Sequence, residues 1–388
     1  MTLQRIARFL VPVAAATAAS VCTEPVVRSD GSAIIWRVPS GSPELPLLPA
    51  ANAARTMIYF GTPDHRIKKI RGSDGQVMWD VPINSTQVVF PGMGAVVSGG
   101  VVALSLVDIF AFDTTTGQRR WVYAPPNVEE TGDSRLAAND TTIFAASRAG
   151  RVHAINARTG VARWIADLTE GKPNVGTLNP TLDNDLLFIC AKDFDALPSV
   201  GKLWALDVVT GAVRWSHAFT PAFKSQGSSC FGAPTRWHNL VIQPEEDGRI
   251  FAFERTTGQV QWIAPMIPKD SASAGNDRRW AAVGGDVVIA TSMALAGSVI
   301  AYDAATGAER WRHTEFGPSL FLPAVDSAVA YVDHGWVFAS YDVRTGAIRW
   351  ANPTSIYSHP STVYKGTPIL GNDRIFVAGY DGSYALRR

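Results

Sequence analysis

The stretch Ala205-Leu206-Asp207-Val208-Val209-Thr210-Gly211-Ala212-Val213-Arg214-Trp215 decides how this 388-residue chain is read. An acidic residue is followed by two spacers, then Thr-Gly, three more residues and a tryptophan. An Asp at that place caps the amides of a turn, as an Asx turn does. The Gly supplies positive φ, so a hairpin closes without a Cβ clash. The Trp then lies on the returning strand, with a large apolar ring to bury against a neighbouring unit.

The pattern recurs along the chain. Its copies are Asp113-Thr116-Gly117-Trp121, Asn156-Thr159-Gly160-Trp164, Glu254-Thr257-Gly258-Trp262, Asp303-Thr306-Gly307-Trp311 and Asp342-Thr345-Gly346-Trp350. A degenerate copy is Arg71-Asp74-Gly75-Trp79, and Trp36 follows Asp30-Gly31 with one extra residue. The flanks, such as Val287-Val288-Ile289 and Arg374-Ile375-Phe376-Val377, are short β-branched and aromatic runs bounded by Gly, Asp and Asn. They read as strands, not helices. The spacing of Trp36, Trp79, Trp121, Trp164, Trp215, Trp262, Trp311 and Trp350 is the length of one four-stranded antiparallel sheet per repeat. Such repeats close radially. The expectation is an all-β fold, an eight-bladed β-propeller. Trp204, Trp237, Trp280 and Trp336 fall outside the pattern.

The two ends complete one another. The last repeat, Asp373–Leu386, lacks a Thr-Gly-Trp strand, and the strand Ser32–Val38 around Trp36 has no inner strands of its own. The N-terminal strand is therefore expected to complete the last blade, which closes the ring and removes two exposed edges.

Hydrophobic residues make up 46% and charged residues 18%, with 33 Gly and 24 Pro, the balance of a turn-rich globular protein. Net charge is +1 without a basic run, which argues against a nucleic-acid partner. Residues 1–22 read as an export signal: Arg5 and Arg8 precede an uncharged, Ala-rich run from Phe9 to Val21, too short to span a membrane. Ala19-Ser20-Val21-Cys22 resembles a lipobox with Cys22 as the lipidation site, and ordinary cleavage near Ala18–Ser20 competes with it. Residues 23–388 then form a single, monomeric propeller domain, exported to the periplasm or the periplasmic face of the outer membrane. There Cys190 and Cys230, in consecutive repeats, either pair or stay as two buried thiols.

Ala205–Trp215 and Ala301-Tyr302-Asp303 through Trp311 resemble the signature Ala-x-Asp-x-x-Thr-Gly-x-x-x-Trp of the PQQ-type repeat family, and the resemblance covers roughly residues 30–388. It implies the fold but not one function, because the family holds quinoprotein dehydrogenases as well as propellers without cofactor. Within it the plan, including the ending Asp381-Gly382-Ser383-Tyr384, is similar to the BamB group. That similarity implies a lipoprotein scaffold of outer-membrane protein assembly that binds the polypeptide-transport domains of BamA. Where that group carries partner-binding loops, this chain has the different stretches Phe223–Ser229 and Gly275–Trp280, so no partner residue is carried over.

The rival is an enzyme. Resemblance to quinoprotein dehydrogenases would imply PQQ under a vicinal Cys-Cys disulfide and a Ca²⁺ site of Glu, Asn and Asp. No adjacent cysteines occur, and Glu245-Glu246-Asp247 reads as a polar turn before Gly248. The seven histidines are scattered without metal-ligand spacing. A third class is a ligand- or carbohydrate-binding surface protein built on the long loops Lys192–Lys202, Pro221–Phe231 and Pro265–Trp280. Phe223, Phe231 and Trp280, beside Lys224, Arg278 and Arg279, have the composition of exposed interface anchors, and ordinary loop packing explains them equally. The expectation is a non-catalytic scaffold with no catalytic, cofactor or metal residues.

Overall fold

The structure is a computed structural model that describes residues 34–39, 49–62, 64–85, 94–126, 136–197, 199–220, 230, 232–264, 279–292, 298–314, 319, 321–334, 337–353, 364–379 and 382–388. Eight four-stranded antiparallel sheets form the blades of a propeller. Blade 1 runs through Ala50–Ala51, Met57–Thr62, Arg66–Arg71 and Val77–Pro82; blade 2 through Ala95–Ser98, Val101–Ser105, Ile109–Asp113 and Arg119–Tyr123. Blade 3 comprises Leu136–Ala138, Thr142–Ala146, Arg151–Asn156 and Ala162–Asp167; blade 4, Val175–Asp183, Leu186–Asp193, Val200–Asp207 and Val213–Ala218. Blade 5 holds Thr235–Trp237, Leu240–Pro244, Ile250–Glu254 and Val260–Ala264; blade 6, Arg279–Gly284, Val287–Ser292, Val299–Asp303 and Glu309–His313. Blade 7 is Ala324–Val325, Val329–Asp333, Val337–Asp342 and Ile348–Pro353. Blade 8 is Tyr364–Leu370, Arg374–Gly379 and Gly382–Arg387, completed by Ile34–Pro39.

That completion is the expected closure. Trp36 pairs with Ala385 and Pro39 with Gly382, so the strand nearest the N-terminus is the outer strand of the last blade. Its described part is Ile34–Pro39, one residue beyond the expected end at Val38; Ser32 and Ala33 lie outside the described residues.

Burial follows from the layering. The two middle strands of a blade are covered on both faces and are mostly apolar, such as Leu240–Pro244 and Ile109–Asp113, buried throughout, Gln243 and Asp113 included. The outer strands alternate, as Ala162–Asp167 does, because only one face meets the next blade.

The tryptophans do more than fill space. Seven of them donate their indole N–H to a backbone carbonyl in the next blade: Trp36 to Gly72, Trp79 to Thr114, Trp121 to Ala157, Trp164 to Val208, Trp215 to Arg255, Trp262 to Ala304 and Trp311 to Val343. Each of these rings also lies on the next blade's turn glycine. A Cβ built on Gly307, at φ +71°, would come within 2.5 Å of the Trp262 ring. The glycine is thus needed twice, for its φ and for the ring above it. At the last seam Trp350 packs in one cluster with Tyr331 and Phe338 of its own blade and with Ile375, Val377 and Tyr384 of blade 8. Nearby, Arg388 lies over Tyr331, pairs with Asp326 and donates to the Gly371 carbonyl.

The turns carry one feature the sequence reading missed. In every blade the residue before the tryptophan is a β-bulge, seen as a register shift between the third and outer strands: Ala205 faces Trp215 while Leu206 faces Val213, leaving Arg214 over. The bulge turns that side chain back towards the turn. Arg120, Arg214, Arg310 and Arg349 thereby pair with Asp113, Asp207, Asp303 and Asp342 at 2.5, 2.6, 2.6 and 2.8 Å. The other Asp oxygen accepts the turn amides, as Asp207 does from Val209 and Thr210. With Arg214 first and the turn amides after it, Asp207 is held down to about 2.

Candidate functional site

The strand directions give the ring two unlike ends. One end carries the Thr-Gly turns and the turns between first and second strands. The other, the crossover face, carries the turns between second and third strands and the links from blade to blade. On the crossover face, blades 4 and 5 build a dense sector.

Its base is covalent. Cys190, in the second strand of blade 4, is bonded to Cys230, which lies ahead of the first strand of blade 5, with Cα atoms 6.0 Å apart. Of the two arrangements left open above, the structure has the pair. Both cysteines are buried in one cluster with Phe188, Phe219, Phe251 and Phe253. Beside them the His217 ring lies 4.9 Å from that of Phe253 and 5.3 Å from that of Phe219, and burial lowers its pKa. That environment suits a neutral packing histidine.

The backbone of Cys230 pairs with that of Glu245. Glu245-Glu246-Asp247 forms the expected polar turn between two strands of blade 5, and that turn is buried. Glu245 is fully buried, Glu246 is 9% exposed and Asp247 1%. Asp247 pairs with Arg249 at 2.6 Å, and Glu246 with Lys192 of blade 4 at 2.8 Å. Neither carboxyl oxygen of Glu245 has a hydrogen-bond partner. Burial above all, and then the negative charge of Asp247, push its pKa well above the ordinary carboxylate value. A buried group left without a partner costs about 1–3 kcal/mol, so the fold carries a penalty at this turn.

This acidic set does not fit a Ca²⁺ site of the quinoprotein kind. Two of its three carboxylates are bound to Arg249 and Lys192, and among the described residues no three His, Cys, Asp or Glu side chains converge on a point a metal could occupy. Ca²⁺ needs six or more oxygen ligands.

Lys192 also begins the Asp193–Val200 connection, whose tip is apolar and exposed. Phe194 is 46% exposed and Leu197 95%. Lys192 Nζ lies 5.6 Å from the Phe194 ring centroid, and Asp193 accepts from the amides of Asp195 and Ala196. The base of the loop is thus held by an ion pair, an Asx-type turn and a nearby disulfide. The signal for this loop was its length. The individual anchors were missed because a sequence does not say which apolar loop residue turns outwards.

The other expected anchors fare differently. Cys22, Phe223, Lys224, Phe231 and Arg278 lie outside the described residues, as does the whole export signal. Arg279 opens the first strand of blade 6. For Trp280, left open between an exposed anchor and ordinary packing, the structure has the packing: it is 6% exposed, on that same strand. Ala281, next to it on the strand, packs in the apolar interface between blades 5 and 6, so strand alternation turns the Trp280 side chain to the opposite face of the blade. Among the described residues no helix is long and apolar enough to cross a membrane.

Comparison with known proteins places this geometry. The family described as outer membrane protein assembly factor BamB matches residues 106–352 and 246–385. BamB from Shewanella oneidensis is 23% identical over 223 residues, which is 54% of this chain and 51% of that protein. The dehydrogenase subunit of the quinone alcohol dehydrogenase of Gluconobacter oxydans is 29% identical over 162 residues, 38% of this chain and 20% of that protein. The chain thus spans about half and about a fifth of these two relatives. Among solved structures, BamB from Moraxella catarrhalis superposes with a TM-score of 0.69 at 18% identity, covering 91% of this chain and 98% of that one. At that identity the likeness speaks for the fold alone. The matched blades make the conclusion plain: the chain belongs to the BamB family of PQQ-type repeat propellers.

Proposed function

We propose that this protein is an exported, non-catalytic scaffold that docks a protein partner on its crossover face, in the manner of outer-membrane protein assembly. The observation that supports it most directly is the Asp193–Val200 loop, where Leu197 is 95% exposed on a base fixed by the Lys192–Glu246 pair. Phe194 and Leu197 together give this loop an exposed apolar tip, and contiguous exposed apolar surface is a mark of interaction sites. The partner we expect is a polypeptide-transport domain of a BamA-type protein.

Capture from detergent-solubilised outer membranes, with and without Leu197→Asp, tests this reading. Recovery of a BamA-type protein, reduced about tenfold or more by the substitution, is the expected result. Equal capture by both forms would remove the loop from the interface. The competing reading is a quinone-dependent dehydrogenase, supported by the Gluconobacter relative. It predicts dye-linked alcohol oxidation once PQQ and Ca²⁺ are added, and such turnover would overturn the scaffold reading.

A further inference from the structure

Trp204 stands apart from the tryptophans of the repeat. Trp36, Trp79, Trp121, Trp164, Trp215, Trp262 and Trp311 each give their indole N–H to a carbonyl, and Trp237, also outside the repeat, gives its own to Gly285 at 2.8 Å. The Trp204 N–H is buried and has no acceptor, in a residue only 6% exposed. Trp204 lines a pocket of about 270 Å³ on the crossover face, between the link that leaves blade 3 and the strand ends of blade 4. The walls include Leu168, Val175, Ala191 and Phe219, and the rim holds Lys172 and Lys202.

The Lys202 ammonium lies 4.1 Å from the centre of the Trp204 ring and is held there by Glu170 at 2.5 Å. Lys172 is paired with Asp193 at 3.0 Å. Three groups at one pocket therefore bind negative or lone-pair oxygen: one indole N–H with no acceptor, the Lys202 ammonium, whose partner Glu170 sits at the solvent edge, and the Lys172 ammonium, whose partner Asp193 is mostly buried. Glu170 is half exposed, and exposed ion pairs of this kind are easily exchanged. Apolar walls with a few convergent polar groups are the ordinary make-up of a small-ligand site.

We propose that this pocket binds an apolar carboxylate. Its hydrocarbon part packs against Leu168, Val175 and Phe219. Its carboxylate takes Lys202 from Glu170, draws the lysine off the Trp204 ring and accepts the indole N–H. The chemistry is the same for a free aryl- or branched-chain acid and for a chain terminus ending in an apolar residue. The inference does not depend on the scaffold reading: the two ends of the loop, Asp193 and Val200, line the pocket, but its exposed tip residues Phe194 and Leu197 do not.

The test uses the whole exported protein, with the indole N–H resonance of Trp204 identified by its loss in Trp204→Phe. The probes are 3-phenylpropionate against 3-phenylpropanol, and acetyl-Ala-Phe with a free carboxylate against its amide. An acid that shifts the Trp204 resonance saturably, and binds about tenfold or more tighter than its neutral match, supports the site. Lys202→Gln, a change at a partly exposed side chain, weakens that acid while the melting temperature stays at the parent value. Binding of the free acid alone points to a small molecule, and of the peptide alone to a chain terminus. An unmoved Trp204 resonance with all four probes, or equal binding of each acid and its neutral match, overturns the proposal.

Discussion

The two ends of the ring solve unlike problems. The repeat-turn end is one device used again and again: a capped Asp, an Arg from the bulge, a left-handed Gly and a tryptophan of the preceding blade lying on it. Its carboxylates are well satisfied, and Asp207 and Asp342 are held down to about 2 by Arg214 and Arg349 first and by turn amides next. The crossover end repeats nothing. It holds a disulfide, a buried carboxylic acid with no partner, an indole N–H with no acceptor and an apolar loop tip in solvent. Polar groups satisfied in every copy mark architecture. Polar groups left unsatisfied at one end mark the place where the fold tolerates a penalty, and functional sites are commonly found at such places.

The largest expected effect lies at the crossover end. Replacing Cys190 and Cys230 together by Ala opens a loop of sequence separation 40 and should lower unfolding stability by about 4 kcal/mol on the chain-entropy account. Urea denaturation measures this. A loss well under about 1 kcal/mol would mean that the sector of blades 4 and 5 is held by packing alone, and the contrast between the ends would weaken.

Next comes the repeat end. Gly307→Ala places a Cβ in a left-handed residue and against the Trp262 ring, with an expected cost of about 3 kcal/mol from both sources. Gly100→Ala, at φ +83° with nothing within 4 Å of its Cβ, carries only the backbone part, about 1 kcal/mol. Equal costs at the two positions would show that the ring above the turn contributes nothing.

The smallest effect is the sharpest, because the two ends should respond to pH with opposite sign. Asp207 and Asp342 have depressed pKa values, so their contribution is complete above the ordinary carboxylate value and is lost as pH falls towards about 2. Glu245 has a raised pKa, so the folded state binds the extra proton. Its contribution is complete below the ordinary carboxylate value and is lost as pH rises through the folded pKa. Glu245→Gln should therefore melt progressively higher than the parent as pH goes from about 5 to about 8, and Arg214→Met should melt lower than the parent except in acid. A constant difference between Glu245→Gln and the parent across that range would show that Glu245 is solvated or ion-paired after all.

How much of this was legible follows from the range of the interactions involved. The Asp-x-x-Thr-Gly turn is closed by contacts within five residues, so Asp207, Thr210 and Gly211 announce it directly. The bulge arginines are also local, and an Arg before Trp121, Trp164, Trp215, Trp311 and Trp350 was the available signal. The partner of each tryptophan was not legible, because Trp262 and Gly307 meet only once two blades pack. At the crossover end exposure was hidden. The sequence left Trp280 open between a surface anchor and loop packing, and it is buried; Glu245-Glu246-Asp247 read as a polar turn without a sign of its burial; and Trp204, outside the repeat, lines a pocket.

The sequence by itself determined the blade count, the turn chemistry and the closure of blade 8 by the strand around Trp36. These rest on periodic, short-range patterns that any one copy displays in full. Only the tertiary structure decided which groups at the crossover face are paired. There Lys192 meets Glu246 across 54 residues of chain, and Cys190 meets Cys230 across 40. Burial at such a place is set by neighbours that arrive from other blades, and no local pattern records them.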